Sequence, residues 1–310
     1  MTTTTLERPV AAKPASIRDT LKGILPPFTM PFDQRGEIVF SAIKEQVDFA
    51  VGKGVNGIVV GGSTGEGHTL GAGEFIKVME ASHEALAGRR PLIAGLIVNS
   101  TREAIERVKA LDGMDIAALQ ITPVHYLFKP SAQNTVEHFR AIHEATGIPI
   151  LIYNVIPWNY LSVDLMLQVM KEVPGVVGMK QSSGDLKSVS DLMGSVSDQN
   201  VVLSGIDALL YPSFALGAHG AISALTAAVP GVTVKLWNAV QSKDFDTALR
   251  IHNALNQLWN VLKHDNLPAC VKYIQHRQGL GFFYARAPMD QVSDEQKAAI
   301  NPALDRVLAL

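Results

Sequence analysis

Cysteine is almost absent: the 310 residues contain one, Cys270. That excludes an intrachain disulfide framework and any zinc site built from several thiolates. An excess of charge of one sign is also lacking. Lysine and arginine number 27, aspartate and glutamate 29, and the formal net charge is -2. No basic run stands out, so nothing points to nucleic acid or another polyanion as a partner. No apolar stretch approaches the roughly 18 residues of a membrane span, and no membrane partner is expected. The first 20 residues, MTTTTLERPVAAKPASIRDT, have no apolar core of the kind a secretory signal carries, and they read as a mobile tail. A soluble protein of a reducing compartment, the cytoplasm, fits these absences. The nine histidines are scattered, with no His-x-x-x-His pair and no carboxylate–histidine cluster, so no metal site is expected.

What is present is apolar and periodic. Hydrophobic residues make up 47% of the chain, enough for one large core. Short Val/Ile/Leu-rich runs fall at 23–30, 56–62, 91–98, 116–123, 149–155, 176–181, 200–205 and 220–225. Each is too short for a core helix and nearly continuous in apolar residues, which is how a strand buried on both faces reads. Amphipathic segments lie between them. Residues 40–53 put Ile43, Val47 and Ala50 on one face, and 73–86 put Phe75, Val78, Met79 and Ser82 there. The segment 101–111 starts on a Thr101 cap and carries a Glu103–Arg107 pair at i,i+4. The segment 133–147 stops at Gly147. Further helical patterns cover 162–172, 185–196, 207–216 and 230–241.

Eight strand-then-helix units in a row predict an α/β chain folded as a (β/α)8 TIM barrel, spanning 21–241. An open doubly wound sheet is the alternative, and the absence of Gly-x-Gly-x-x-Gly at the first βα turn weighs against it. Helical patterns near 243–263, 268–277 and 293–309 predict a C-terminal helical extension, 242–310, packed on the barrel. In such a barrel reactive groups sit at the C-terminal ends of strands. Strand six ends in Lys180. Burying its charged form is costly, which favours a neutral, nucleophilic amine. The alternative is a lysine that reaches solvent or pairs with a carboxylate. Strand five ends in Tyr153, a phenol suited to proton shuttling, although alone it reads more readily as a core tyrosine. Strand two ends in GGSTGE, where Gly62 allows close approach and Ser63 and Thr64 offer amides and hydroxyls to a carboxylate. An ordinary glycine-rich loop reads the same way. Ile222 on strand eight closes the pocket or simply packs the barrel. His125 and Tyr126 follow strand four, and His125 serves either as a second acid/base or as a polar loop residue. Ser182 and Trp158 are further candidate substrate contacts.

Six segments then fall in one order: GSTGE at 62–66, ITP at 121–123, LIYNV at 151–155, GMKQSSGD at 178–185, LSGID at 203–207 and GAHGAIS at 217–223. With them the chain resembles the dihydrodipicolinate synthase / N-acetylneuraminate lyase family over about residues 20–305. The resemblance implies a class I aldolase in which Lys180 forms a Schiff base with a 2-keto acid such as pyruvate. It implies that Tyr153 relays protons, and that Ser63 and Thr64 hold the keto-acid carboxylate and complete the relay, Thr64 linking to Tyr153. It further implies no metal or organic cofactor, and a homotetramer built as a dimer of dimers.

Departures from the family pattern bear on the second substrate. The synthases carry an arginine after the tyrosine motif, whereas YNVIPWNYLS at 153–162 has none. Ala208 and Ala224 stand where the sialic acid lyases have an acidic residue and a serine. Tyr126 stands near the place of a tyrosine that reaches a neighbouring subunit's site. Leu127, Phe128, Trp158 and Tyr160 make the expected acceptor side bulky and apolar. The expected activity is therefore formation or cleavage of a carbon–carbon bond between pyruvate and a hydrophobic or aromatic aldehyde. The alternatives are dehydration of a keto-deoxy sugar acid through the same imine, 4-hydroxy-tetrahydrodipicolinate synthesis proper, and a catalytically silent ligand-binding homologue.

Overall fold

The computed structural model describes residues 16–124 and 126–310. Of the expected tail, residues 1–15 lie outside the described residues. Residues 16–20 are ordered into one helical turn, α1 (Ile17–Thr20), capped by the Ser16 hydroxyl, which accepts from the Asp19 amide. Arg18 fixes this turn by donating to the carbonyls of Ser197 at 2.8 Å and Asn200 at 3.0 Å.

Eight parallel strands follow: β1 (Gly23–Ile24), β2 (Ile58–Val60), β3 (Leu92–Leu96), β4 (Ala118–Ile121), β5 (Ile150–Asn154), β6 (Val176–Gln181), β7 (Val201–Ser204) and β8 (Gly220–Ala221). They pair in the order β1-β8-β7-β6-β5-β4-β3-β2. A parallel bridge between Pro27 and Val59 joins the two ends and closes the barrel. The amide of Phe28 donates to the Val59 carbonyl at 2.7 Å, and that of Val59 to the Pro26 carbonyl at 3.0 Å. The 23–30 run therefore yields two ladder residues and a bridge rather than a full strand. Pro26 and Pro27 have no N–H to give a ladder. The 220–225 run is also shorter than expected, because Ser223 ends the strand and starts a helix.

The helices outside the barrel are α2 (Ile43–Gly52), α3 (Ala72–Leu86), α4 (Thr101–Lys109), α5 (Ala132–Thr146), α6 (Val163–Glu172), α7 (Leu186–Ser195), α8 (Leu210–Ala215), α9 (Ala224–Ala228) and α10 (Pro230–Gln241). The C-terminal helices are α11 (Phe245–Leu262), α12 (Leu267–His276) and α13 (Asp294–Leu308). None of the helices among the described residues is long and apolar enough to cross a membrane. The amphipathic reading holds where it can be checked: Phe75, Val78, Met79 and Ser82 all face inward on α3. Glu103 and Arg107 pair at 3.0 Å. Gly147 ends α5 in the left-handed conformation. The cap of α4 is Ser100 rather than Thr101, since the Ser100 side chain accepts from the Glu103 amide at 3.1 Å. The barrel interior is filled by alternate strand residues, including Val59, Ile93, Ala118, Leu151, Leu203 and Ile222.

One polar feature crosses this apolar design. Glu66, after β2, and Lys272, on α12, form an ion pair with both side chains fully buried. The Lys272 ammonium also donates to the Tyr284 carbonyl at 2.6 Å and lies 4.8 Å from the centre of the Phe32 ring. Glu66 accepts from the Arg286 amide at 2.8 Å. The Arg286 guanidinium clamps Glu74 through two nitrogens, at 2.9 and 2.6 Å, and covers the other side of this cluster. Removing one partner of a buried ion pair typically costs about 3–5 kcal/mol, whereas neutralising both is far milder. Lys272→Met should therefore lower stability on that order. The double variant Glu66→Gln/Lys272→Met should recover much of the loss in urea titrations followed by circular dichroism. Equal loss in the single and double variants would show that the charge pair is not what the single change removes.

Candidate active site

The register of β5 with β6 pairs Tyr153 with Lys180. Side chains alternate along a strand, so partners in register point to the same side. Both therefore point into the barrel mouth, and both are 5% exposed. The Lys180 ammonium nitrogen lies 3.8 Å from the centre of the Tyr153 ring. Among the described residues Lys180 makes no salt bridge, so it is neither solvent-directed nor paired with a carboxylate. The Tyr153 hydroxyl lies 3.2 Å from the Ser63 hydroxyl, and either can donate.

Ser63 and Thr64 sit in a turn closed by the Gly62 carbonyl, which accepts from the amides of Gly65 and Gly67, each at 3.1 Å. Among the described residues neither the Ser63 nor the Thr64 amide donates to another protein group. Two adjacent unclaimed amides at a turn suit a carboxylate. It is Ser63, not Thr64, that reaches the phenol: the tight turn at Gly62 aims the first of the two hydroxyls at β5. Thr64 lines the same cavity without touching Tyr153.

These groups share one cavity of about 360 Å³. Ser182 also lines it, with its hydroxyl buried and without a hydrogen-bond partner. Its space depends on Gly205. A Cβ there would lie 2.0 Å from the Ser182 hydroxyl and 3.0 Å from Cε of Lys180. Asp207, fully enclosed beside it, accepts from the Leu225 amide at 2.6 Å and so holds the start of α9. Burial pushes its carboxyl up from the ordinary carboxylate range. The Leu225 amide bond, with Ser223, Ala224 and Lys180 nearby, opposes that rise. Gly205 and Asp207 were marked in the sequence only as parts of LSGID, and that short motif was the signal available for them.

Other expected site residues lie elsewhere. Gly62 shapes the turn and faces Gln120, whose amide nitrogen would be 3.6 Å from a Cβ at that position. Ile222 is fully buried in the barrel filling. Tyr126 is 69% exposed and Trp158 61% exposed, and neither lines the cavity. Leu127, Phe128 and Tyr160 are likewise exposed and do not line the cavity. Of this group Tyr160 feels the site: burial, and then the Tyr153 phenol, push its hydroxyl up. His125 lies outside the described residues. The apolar wall comes instead from Val155 and Ile206 on the barrel and from Trp259, Leu267, Pro268 and Met289 of the C-terminal segment. No local motif marks those four, since their place depends on how α11, the start of α12 and the α12–α13 connection fold over the mouth. Among the described residues no group of three or more His, Cys, Asp or Glu side chains is arranged to hold a metal ion.

Residues 20–307 match the model of the dihydrodipicolinate synthetase family. The chain belongs to the dihydrodipicolinate synthetase family. A 4-hydroxy-tetrahydrodipicolinate synthase from Methanosphaerula palustris is 34% identical over 288 residues, covering 91% of this chain and 98% of that one. The chloride-inhibited dihydrodipicolinate synthase of Acinetobacter baumannii, solved with pyruvate, is 29% identical. It superimposes with a TM-score of 0.87 over 94% of this chain and 100% of that one. A Ruminococcus gnavus sialic acid aldolase, a catalytic lysine mutant, shares the fold at 23% identity and a TM-score of 0.87, over 94% and 97% of the two chains. As a member of the dihydrodipicolinate synthetase family, the chain is a carbon–carbon lyase of the aldolase type.

The packing at Gly205 yields a direct check. Gly205→Ala should force Lys180 and Ser182 apart and reduce activity by at least the order of 10²-fold expected for misplacement of about 1 Å, while the fold persists by circular dichroism. An alanine variant with full activity would show that the lysine is not held by this contact.

Proposed function

We propose that the chain is a class I aldolase in which Lys180 forms a Schiff base with pyruvate or a related 2-keto acid, without a metal or organic cofactor. The observation that carries this reading is the convergence of buried Lys180, the Tyr153 ring at 3.8 Å and the Ser63–Tyr153 hydroxyl pair in one cavity. The unprotonated amine of Lys180 attacks the keto carbon, giving a carbinolamine. Tyr153 moves the protons that let water leave, and Ser63 is its partner in that relay. The resulting protonated imine withdraws electrons, so a C3 proton departs and an enamine forms. The enamine carbon then attacks the aldehyde carbon, and its oxygen takes up a proton. Hydrolysis of the imine releases a 4-hydroxy-2-keto acid and restores Lys180. Cleavage runs the same steps in reverse. The Ser63 and Thr64 amides suit the keto-acid carboxylate, and Ser182 is available to an oxygen of the substrate.

The second substrate on this reading is a neutral, apolar aldehyde. A carboxylate-bearing aldehyde calls for a guanidinium fork, and among the described residues no arginine lines the cavity, while Trp259, Leu267 and Met289 do. A second reading, 4-hydroxy-tetrahydrodipicolinate synthesis, is favoured by the names of the relatives. Dehydration of a keto-deoxy sugar acid through the same imine is distinguished by its product, which keeps the carbon skeleton whole. A homotetramer and a cytoplasmic setting complete the proposal. The exposed Tyr126, Leu127 and Phe128 are suited to burial between copies.

Borohydride added with pyruvate should fix a single reduced pyruvate unit on the Lys180 peptide, seen by mass spectrometry, and Lys180→Ala should abolish both trapping and turnover. An active Lys180→Ala enzyme would end the Schiff-base reading. Tyr153→Phe should slow turnover by about 10²–10⁴-fold. In an aldehyde panel with pyruvate, aromatic aldehydes should outrun aspartate semialdehyde, and the reverse order would establish the second reading.

A further inference from the structure

The carboxylate end of the cavity is not held by the barrel alone. Ser63 and Thr64 follow β2 on a turn in which the Glu66 amide donates to the Ser63 carbonyl at 2.9 Å. Glu66 itself has φ 55, a left-handed conformation that a glutamate adopts only when its surroundings impose it. Its side chain leaves the cavity and is fixed from outside, by Lys272 on α12 and the Arg286 amide. The lysine is in turn fixed by the Tyr284 carbonyl and the Phe32 ring. A buried ion pair is a poor route to stability, since apolar residues of the same volume often serve as well, and its best-attested use is to fix register. Here the thing whose register it fixes is the turn that carries the two unclaimed amides.

We propose that Lys272 is a positioning residue that, by pinning Glu66, sets the aim of the Ser63 and Thr64 amides at the keto-acid carboxylate. The C-terminal segment thus acts on the chemistry at a distance, without touching the substrate through Lys272. This inference rests on the reading that Lys180 captures a 2-keto acid, and it adds a role that the lysine chemistry alone does not require. It distinguishes ligands by whether they carry a carboxylate. A ketone without one gains nothing from the amides, and so loses nothing when their aim is lost.

The test compares pyruvate with acetone as ligands for borohydride trapping on the Lys180 peptide. Wild type is set beside Lys272→Arg, Glu66→Gln and the double variant Glu66→Gln/Lys272→Met, each confirmed as folded by circular dichroism. In the two variants lacking the charge pair, the pyruvate concentration for half-maximal trapping should rise about tenfold, the scale of one charge-assisted contact. The concentration for acetone should not move. Lys272→Arg, which keeps the charge, should restore part of the pyruvate affinity. Unchanged pyruvate trapping in folded variants would overturn the inference, and so would an equal loss for both ketones, which marks a general structural role. A wild-type protein that traps neither ketone would remove the Schiff-base reading and this inference with it. Pyruvate trapping by wild type but not selectively weakened in the variants would remove this inference alone.

Discussion

The pairing of Tyr153 with Lys180 across β5 and β6 is the constraint on which the site depends. Strand side chains alternate, so a slip of one residue in either strand would send one of the two groups into the helical layer. The slip is opposed from both faces. Leu151 and Leu203 fill the barrel, while Ile150, Ile152 and Met179 pack outward against the helices. Ile150, Leu151 and Ile152 would change sides with a slip of β5, and Met179 with a slip of β6, so the apolar pattern that builds the barrel also fixes the phenol beside the amine. Burial of both groups at the mouth is then a consequence of the fold rather than a separate requirement.

Space at the mouth is made by omission. Gly205 leaves room for the lysine stem and for Ser182, both of which a Cβ there would crowd. A barrel interior is ordinarily filled by branched residues. Where these strands turn polar and small, the filling stops and a cavity begins. Asp207 belongs to the same economy of parts: it holds the α9 backbone with its carboxyl and shares the cavity with Lys180.

Much of this was legible from the sequence, for identifiable reasons. Lys180 and Tyr153 fall at the ends of short apolar runs, the place where a barrel carries its reactive groups, and the eight runs with their intervening helices predict the barrel. The length of β1 was not legible from apolarity, because Pro26 and Pro27 are apolar yet cannot donate to a ladder. The choice between Ser63 and Thr64 was hidden in the turn. Adjacent residues with similar hydroxyls differ only in direction, and direction comes from the Gly62 carbonyl accepting two amides. Leu127, Phe128, Trp158 and Tyr160 read as the bulky apolar side because they follow β4 and β5 in the chain, yet they do not line the cavity. Loop residues near a mouth in sequence need not face it in space. Trp259, Leu267 and Met289 sit far from any motif, and the folding of α11, α12 and the α12–α13 connection brings them over the barrel.

The site thus has two halves of different physical origin. The lysine, the phenol and the paired amides stand on strand ends or just beyond them, where the ladder leaves little freedom. Much of the apolar wall stands on the C-terminal helices and their connections, which can change side chains without disturbing the register. Resemblance to relatives over the whole chain speaks mainly for the first half, since that is where the shared motifs lie. The lining, without an arginine among the described residues, speaks for the second. The two halves are still not independent, because the Glu66–Lys272 pair runs from the turn after β2 into α12. A change in the extension that moved α12 would be felt at the Ser63 and Thr64 amides. The freedom to vary the apolar wall is therefore greatest at side chains such as Trp259 and Met289, which reach the cavity but carry no part of that link.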